Sequence, residues 1–311
     1  MKAFQSVRRT RPAAMEPPSE EETAKLDAMG SSMPCVCEKC QKCGKAAEAA
    51  GLQNPGYDAM REDREMMLRF LRGSKGEIEK ACAPYQAASL ELRCAADRTA
   101  ASQAVHILTG SLIWRAEEGV DSIQDDASIP QLEAECLQHY PCYILKTDID
   151  GRCFYIERVG NANVAETITL GPEKLMKYHI YVNEQCMKIS SQRVVLFDME
   201  GMSRHHLDRR GLAILKQFIE IDQRHYPETL HKLYIVNAPR LLWVGYKIVE
   251  PWLDPATAAK VEILGANYQA ILREKIGVEN LPESLGGKCR CEGGCVPEAK
   301  KPEPGPGWFG R

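Results

Sequence analysis

Continuous apolar runs mark the central part of the chain. Arg193–Asp198 and Leu233–Asn237 are short and mostly apolar, which is typical of strands buried on both faces. Between them, Leu212, Leu215 and Ile219 recur at the spacing of one helical face. A strand, a helix and a second buried strand in this order predict a parallel sheet with right-handed crossovers. The predicted fold class is therefore α/β.

Two further strands are predicted before this unit. Cys142–Lys146 and Cys153–Glu157 have strand-like patterns, and Asp148–Gly151 between them has the chemistry of a hairpin turn. Glu173–Lys188 is predicted to be a helix. Together these elements indicate a mainly parallel sheet with flanking helices.

The segment before the sheet is predicted to be helical. Met67, Phe70 and Leu71 fall on one helical face. The alanine-rich residues 90–112 are typical of further helix. Residues 59–118 are therefore predicted to form a small all-helical subdomain.

The polar segments suggest the domain boundaries. Residues 1–58 contain almost no large apolar side chains, so they cannot bury enough surface to offset the entropy of ordering, and a disordered appendage is expected. Residues 119–130 are acidic and polar and are interpreted as a linker. A main domain is predicted over residues 125–296, followed by a Pro/Gly-rich tail at residues 297–311.

Composition narrows the class of protein. The chain has 311 residues, 44% of them hydrophobic and 27% charged, with a formal net charge of −3. This balance gives no reason to expect a nucleic-acid partner. The apolar runs are far shorter than the roughly 18–20 residues of a membrane span, and the first residues lack the apolar core of a secretory signal. We therefore expect a cytoplasmic protein.

Catalytic patterns are missing from the sequence. It contains neither a G-x-S-x-G elbow nor a G-x-x-x-x-G-K-[ST] loop. Asp198, at the end of a predicted strand, is interpreted as a turn or cap residue, and His205 and His206 as a solvated loop pair. We therefore predict that the protein is not an enzyme.

Asp254 and Pro255 predict the start of a helix. The Asp254 carboxylate suits the N-cap, and Pro255 at the first helical position loses no needed hydrogen bond. Thr257 and Lys260 then share one face near the positive end of that helix. This corner could hold a phosphate, or it could be a solvated lysine beside a hydroxyl that only assists the cap.

Several motifs together resemble the Sec14-like (CRAL-TRIO) lipid-binding and lipid-transfer family. The resemblance covers about residues 61–295. The motifs are Leu68–Arg72, Lys146–Asp148, Asp150–Arg152, Phe197–Gly201 and, most fully, the run His225–Gly287. The resemblance implies a lipid pocket beside the sheet, closed by a movable gate helix.

The resemblance also implies a phosphatidylinositol headgroup site. Its residues would be Glu228 in the Tyr-Pro-Glu turn, with Thr257 and Lys260 after the Asp-Pro motif. The gate helix would span about residues 240–249. Its apolar residues, which would close over the acyl chains or touch the bilayer, are Leu241, Leu242, Trp243 and Val244.

The chain departs from the family at the second half of the ligand site. Ser74 replaces an arginine that helps the headgroup site, with Lys75 as a substitute. In the phosphatidylcholine site, Tyr155 fits one of two tyrosine positions, whereas Ile144 occupies the other. Arg193 and Val195 stand where the family has hydroxyl residues. The identity of a second lipid is therefore left open.

Two cysteine clusters raise a metal hypothesis. Cys35, Cys37, Cys40 and Cys43 form C-x-C-x-x-C-x-x-C and could hold zinc. The usual structural finger separates its two cysteine pairs by a longer loop, and the alternatives are free or lipidated thiols. Cys289, Cys291 and Cys295 resemble a family tail rather than a separate metal site.

The expected function is binding and transfer of phosphatidylinositol or another phospholipid. Transient contact with a membrane surface is expected, with a lipid kinase or another protein as partner and no cofactor beyond the bound lipid. One alternative is a different hydrophobic ligand, such as a sterol, tocopherol-like or retinoid-like molecule. The other is a lipid-sensing regulatory scaffold with a metal-binding N-terminus.

Overall fold

A computed structural model describes residues 16–32, 64–73, 100–290 and 295. The helices are α1 Glu20–Ser32, α2 Arg64–Gly73, α3 Ala100–Glu117, α4 Ile129–His139, α5 Val164–Thr169, α6 Pro172–Ile189, α7 Arg209–His225, α8 Leu242–Val249, α9 Pro255–Ala258 and α10 Tyr268–Ile276. The strands are β1 Cys142–Thr147, β2 Cys153–Glu157, β3 Arg193–Asp198, β4 Leu230–Val236 and β5 Val261–Ile263. Short 3₁₀ turns span Val120–Asp125, Val159–Asn161, Arg204–Leu207, Glu250–Trp252 and Glu283–Leu285. Within these described ranges, no helix combines the length and apolar character needed to cross a bilayer.

The strands form one mixed sheet in the order β1-β2-β3-β4-β5. β1 and β2 are antiparallel, and the remaining neighbours are parallel, which confirms the mainly parallel sheet. In the β1–β2 turn, the Asp148 carboxylate accepts hydrogen bonds from the amides of Asp150 (2.9 Å) and Arg152 (2.8 Å). Gly151 takes a φ of 85°, which glycine adopts without steric cost. The predicted hairpin therefore forms for the expected local reasons.

One face of the sheet is tightly filled. Its buried core is at most 6% exposed at any residue, and the partly buried Leu145, Tyr268 and Ile271 border it. The buried residues include Phe154, Ile156, Val194, Leu196, Tyr234 and Val236 from the strands, with Leu272, Ile276 and Leu281 from α10 and the segment after it. Close packing of this kind makes the face a rigid base for the rest of the domain.

The opposite face also carries a buried core, but the inner side of α7 that covers it is only partly buried. Residues 211, 214, 215, 218, 219, 222 and 225 share the side of α7 turned away from its exposed positions. Within this fully described helix, His225 is nevertheless the one buried residue. The apolar residues packed against this face while only partly buried include Ile144, Phe197, Ile214, Phe218, Leu230 and Leu233. We call the space between the inner side of α7 and this sheet face the cleft.

Helices α1, α2 and α3 pack together before the sheet. Leu26 of α1 is 1% exposed, and Leu71 and Leu108 from the two neighbouring helices are fully buried. Ser19 and Glu22 form a capping box, in which each side chain accepts from the other residue's amide. The expectation of a disordered appendage was therefore wrong for Glu20–Ser32, because α2 and α3 supply apolar partners that the segment itself lacks.

Residues 119–130 are not a loose linker, contrary to the prediction. Val120 and Ile123 are 1% and 5% exposed and join the core beneath the cleft. Ile129 and Leu132 extend this apolar contact along α4. In this short turn the apolar residues Val120 and Ile123 are buried, whereas the acidic residues Asp121 and Asp125 are exposed. The sequence pattern is too short to separate the two sides.

The helix predicted after Asp254 is wrong beyond its first turn. α9 ends at Ala258, and Val261–Ile263 forms β5, which pairs in parallel with β4. In β5, Glu262 points to the side of Lys232 (carboxylate to Nζ, 3.5 Å), whereas Val261 and Ile263 pack on the other side. Val261, Leu264, Tyr268, Ile271 and Leu272 have the spacing of one helical face in the sequence. The pattern is misleading because a strand of only three residues is followed directly by a second helix, α10.

Candidate functional site

Glu228 and Lys260 meet at one edge of the sheet. Each residue comes just before one of two neighbouring parallel strands, β4 and β5. The Lys260 Nζ donates to the Glu228 carboxylate at 3.0 Å, and the two side chains are 23% and 24% exposed. The two most distant members of the predicted headgroup site therefore form a half-buried ion pair.

Thr257 adjoins this pair, but its donors are already engaged. The Asp254 carboxylate accepts from the Thr257 amide at 2.8 Å and from its hydroxyl at 2.6 Å. The Lys260 amide donates to the Thr257 carbonyl at 3.0 Å. The predicted N-cap is confirmed. Asp254 holds both the amide and the hydroxyl of Thr257, and phosphate binding at this corner stays a prediction.

The turn that carries Glu228 is held by α3 and α6. The Tyr226 hydroxyl donates to Glu184 at 2.8 Å, and the Arg115 guanidinium forms a fork on the same carboxylate at 2.8 and 3.2 Å. These bonds fix the end of α7, where Glu228 takes the left-handed φ of 58°, a conformation that costs roughly 1–3 kcal/mol for a residue other than glycine. Sequence reasoning missed Arg115 and Glu184, since no motif links them to the turn.

His225 anchors the same turn from below. Its ring stacks on Trp114 with 3.8 Å between ring centroids, and its Nδ1 lies 3.1 Å from the Ser111 hydroxyl. Burial lowers the pKa of His225 to about 3, helped by the nearby positive charges of Arg224 and Arg115. The imidazole is therefore neutral in the folded protein near pH 7.

Helix α8 agrees with the predicted gate segment and has two different sides. Leu242 is buried against Met199 and Ile235 at the carboxyl end of the sheet. Trp243 is 55% exposed and Val244 53%, while Leu241 is half-buried. The predicted gate residues are thus divided between an inward side that packs on the sheet and an outward side that faces solvent.

Gly245 allows α8 to approach the segment before α7. A Cβ atom at this position would lie 3.1 Å from Leu207 Cδ2, closer than such atoms normally sit. The outward apolar side of α8 continues with Ile248, which is 39% exposed. The helix therefore packs closely through its glycine and presents large apolar groups to solvent.

The positions of the second-ligand site lie on the cleft side of the sheet. Tyr155 is paired with Ile144 of β1 and Val195 of β3, and it is 8% exposed. Arg193 is also buried, and its guanidinium donates to Asn183 and, at 3.2 Å, to Asp222. An arginine fixed in this way cannot act as the hydroxyl residue that it replaces in the family pattern.

The remaining sequence hypotheses have simpler outcomes. Asp198 accepts from the Glu200 amide at 3.0 Å and the Asn237 side chain at 2.8 Å, which confirms its role as a turn residue. His205 is exposed as expected, whereas His206 accepts from the Ser203 amide at 3.0 Å in a capping box.

The metal hypothesis has no structural test. Among the described residues, no group of three or more His, Cys, Asp or Glu side chains is arranged to hold a metal ion. Cys35, Cys37, Cys40 and Cys43 lie outside the described residues, as do Cys291, Ser74 and Lys75. Zinc binding therefore stays a prediction.

Known proteins share this fold. The CRAL/TRIO domain family matches residues 137–287. The crystal structure of Sfh5 superposes with a TM-score of 0.59, covering 88% of this chain and 89% of that one at 21% sequence identity. This likeness confirms the predicted fold.

Sequence relatives decide the family. The Sec14 cytosolic factor of Schizosaccharomyces pombe is 31% identical over 257 residues, which are 78% of this chain and 81% of that protein. The chain belongs to the Sec14-like family. Another Sec14-like relative, the phosphatidylinositol/phosphatidylcholine transfer protein SFH7 of Arabidopsis thaliana, is 31% identical over 259 residues, and the match spans 42% of its length.

Proposed function

We propose that this chain binds phosphatidylinositol in the cleft and moves or presents it between membranes. The only partly buried apolar face between α7 and the sheet carries the proposal. The Glu228–Lys260 pair at the edge of that sheet supplies a polar headgroup site. The names of the Sec14-like relatives point to the same ligand.

The acyl chains would occupy the cleft. Phe218 and Ile214 of α7 would line one side, and Leu233 of β4 the other. Burial of each methylene contributes about 0.8 kcal/mol, so two acyl chains supply most of the affinity. The reaction is binding and release without bond chemistry.

The headgroup would be recognised by exchange of an ion pair for a ligand contact. Lys260 would turn from Glu228 toward the phosphodiester, and Glu228 would then accept from inositol hydroxyls. The Thr257 hydroxyl would rotate away from Asp254 to donate to the phosphate. Because the pair is half-buried, water competes only partly with these contacts.

The gate helix would mediate contact with the bilayer. Trp243, Val244 and Ile248 form an exposed apolar side of α8, which would enter the membrane interface while Leu242 is drawn off the sheet. A protein that works this way would be cytoplasmic and only transiently membrane-associated. A lipid kinase that consumes the presented lipid is a fitting partner.

Lys260→Ala tests the headgroup assignment. The lost ion pair is worth at most about 1 kcal/mol of stability, so the fold should persist. A lost contact to a charged phosphate costs roughly 1.5–3 kcal/mol, and we expect transfer of phosphatidylinositol between vesicles to fall at least ten-fold. Transfer is measured with a fluorescent phosphatidylinositol and stability by urea unfolding.

Lys232→Ala is the matched control. Lys232 pairs with Glu262 at 3.5 Å between the same two strands, but on the filled face of the sheet. Its removal should leave transfer unchanged. Equal losses in both variants, or full transfer by Lys260→Ala, would remove the headgroup assignment.

A further inference from the structure

A polar cluster lies inside the otherwise apolar cleft. Asp222 of α7 is the centre of this cluster. One of its carboxylate oxygens lies 2.8 Å from His179 Nε2 and accepts from the Asn183 amide group at 2.8 Å, both on α6. The other accepts from the Arg193 guanidinium of β3 at 3.2 Å. The proposed headgroup site uses none of these residues.

Asp222 faces the interior of the molecule, yet it is accessible. The solvent-facing side of α7 carries the exposed residues Ala213, Gln217 and Glu220, and Asp222 follows the opposite row with Phe218. Even so, 31% of its side-chain surface is open, as is 20% of His179. We infer that this free surface of Asp222 and His179 borders the cleft.

The charge state of Asp222 fits this position. Burial alone would raise its pKa, but His179, Arg193 and Asn183 together lower the pKa of Asp222 to about 2. The group is thus a carboxylate at neutral pH and is balanced by the Arg193 guanidinium. His179 is also fixed by the Phe218 ring, which stacks on it with 4.2 Å between centroids.

A second polar group extends the cluster along β2. Glu157 follows Tyr155 on the cleft side of that strand and is only partly buried. It accepts a hydrogen bond from the Tyr140 hydroxyl. Burial raises the pKa of Glu157, as does the charge of Asp222, while the Tyr140 hydrogen bond and the charges of His179 and Arg193 oppose the shift.

The balance of charges defines the ligand group that fits. Arg193 and Asp222 neutralise one another, so this pair offers no free counter-charge to a cationic or anionic headgroup. A hydroxyl can donate to a carboxylate and accept from an imidazole or guanidinium at the same time. Surrounding apolar residues such as Phe197 and Phe218 then suit a hydrocarbon body.

We propose that Asp222, His179 and Arg193 form an inner subsite that recognises the hydroxyl group of an uncharged, otherwise apolar lipid alcohol. This ligand would occupy the cleft in exchange with phosphatidylinositol, and the inference rests on the proposed function only in using the same cleft. The headgroup pair at the sheet edge takes no part in recognising the alcohol.

Paired probes test this subsite. The first pair is dehydroergosterol, a fluorescent sterol, and its 3-O-methyl ether. The second is a fluorescent diacylglycerol and its methyl ether. Each probe is supplied in phosphatidylcholine vesicles to the delipidated full chain. We expect at least one alcohol to bind ten-fold or more tightly than its ether, because the ether cannot donate the hydrogen bond.

Two variants assign the preference to the cluster. Asp222→Asn keeps the shape of the side chain, and His179→Phe keeps the stack on Phe218 while removing the ring nitrogens. In either folded variant, the ratio of alcohol to ether affinity should fall toward one, and Lys232→Ala should retain it. If Asp222→Asn does not fold, His179→Phe decides the matter.

Three results would overturn the proposal. They are equal binding of alcohol and ether by the wild-type chain, binding of neither alcohol, and full preference in a folded His179→Phe variant. Phosphatidylinositol transfer by the same wild-type preparation is measured in parallel. Its absence would count against the proposed function, whereas the alcohol-to-ether ratio decides the subsite.

Discussion

The difference between the two sheet faces leads to a quantitative prediction for leucine to phenylalanine substitutions. Leu196 lies on the filled face and is fully buried, whereas Leu233 lies on the cleft face and is only partly buried. The chemical change is the same at both sites, and the two strands are neighbours. The comparison therefore isolates the effect of free space.

One substitution should lower the free energy of unfolding, and the other should lower the affinity for lipid. Leu196→Phe overpacks a closed core and should lower the free energy of unfolding by about 1–3 kcal/mol. Leu233→Phe should stay within about 0.5 kcal/mol of wild type, because its ring can extend into the cleft. The same ring would displace about two lipid methylenes worth ~0.8 kcal/mol each, so lipid affinity should fall roughly fifteen-fold.

Urea unfolding of delipidated protein measures the first quantity, and lipid titration from vesicles measures the second. The contrast should appear as a stability loss in Leu196→Phe and a binding loss in Leu233→Phe. An equal loss of unfolding free energy in both variants would show that the cleft is filled by side chains, and the reasoning would fail.

Three further predictions concern other parts of the molecule. The pKa of His225 is about 3 in the folded protein, against 6.5 for a histidine in the unfolded chain. The stability that depends on a neutral His225 is therefore fully present above pH 6.5. It falls by up to ~1.4 kcal/mol per pH unit as the pH drops toward 3. His225→Phe should therefore show a shallower loss of stability between pH 7 and pH 5 by urea unfolding, and identical slopes would contradict the cause given. Leu26→Ala should weaken docking of α1 by about 2–5 kcal/mol, seen as faster proteolytic cleavage in that helix, and unchanged cleavage would mean that α1 is not held by Leu26. Trp243→Ser should leave unfolding within about 0.5 kcal/mol of wild type but slow transfer between vesicles, whereas an unchanged rate would exclude Trp243 from membrane contact.

The sheet was largely predictable because its strands are short apolar runs between polar turns. Arg193–Asp198 and Cys153–Glu157 have the predicted bounds. β5 was missed because three residues cannot establish a period-two pattern before α10 begins. α1 was missed because its single buried leucine is significant only when its neighbours in the fold are known, although the Ser19–Glu22 capping box was a local signal.

Part of the candidate site was also predictable from the sequence, and part was not. Asp254 as N-cap followed from local chemistry, and Glu228 with Lys260 followed from the family resemblance. The Arg193–Asp222 pair could not be found, since its members lie 29 residues apart on a strand and a helix. Their meeting depends on how α7 crosses the sheet, which no local pattern encodes.

The lipid carried by the purified full-length chain tests the central claim most directly. Mass spectrometry of the lipids extracted from the wild-type protein and from Lys260→Ala would measure the amount of phosphatidylinositol per chain. We expect phosphatidylinositol to be enriched in the wild-type protein relative to the lipids of the cells and to be strongly depleted in the variant. Recovery of other lipids without phosphatidylinositol from the wild-type protein would contradict the account.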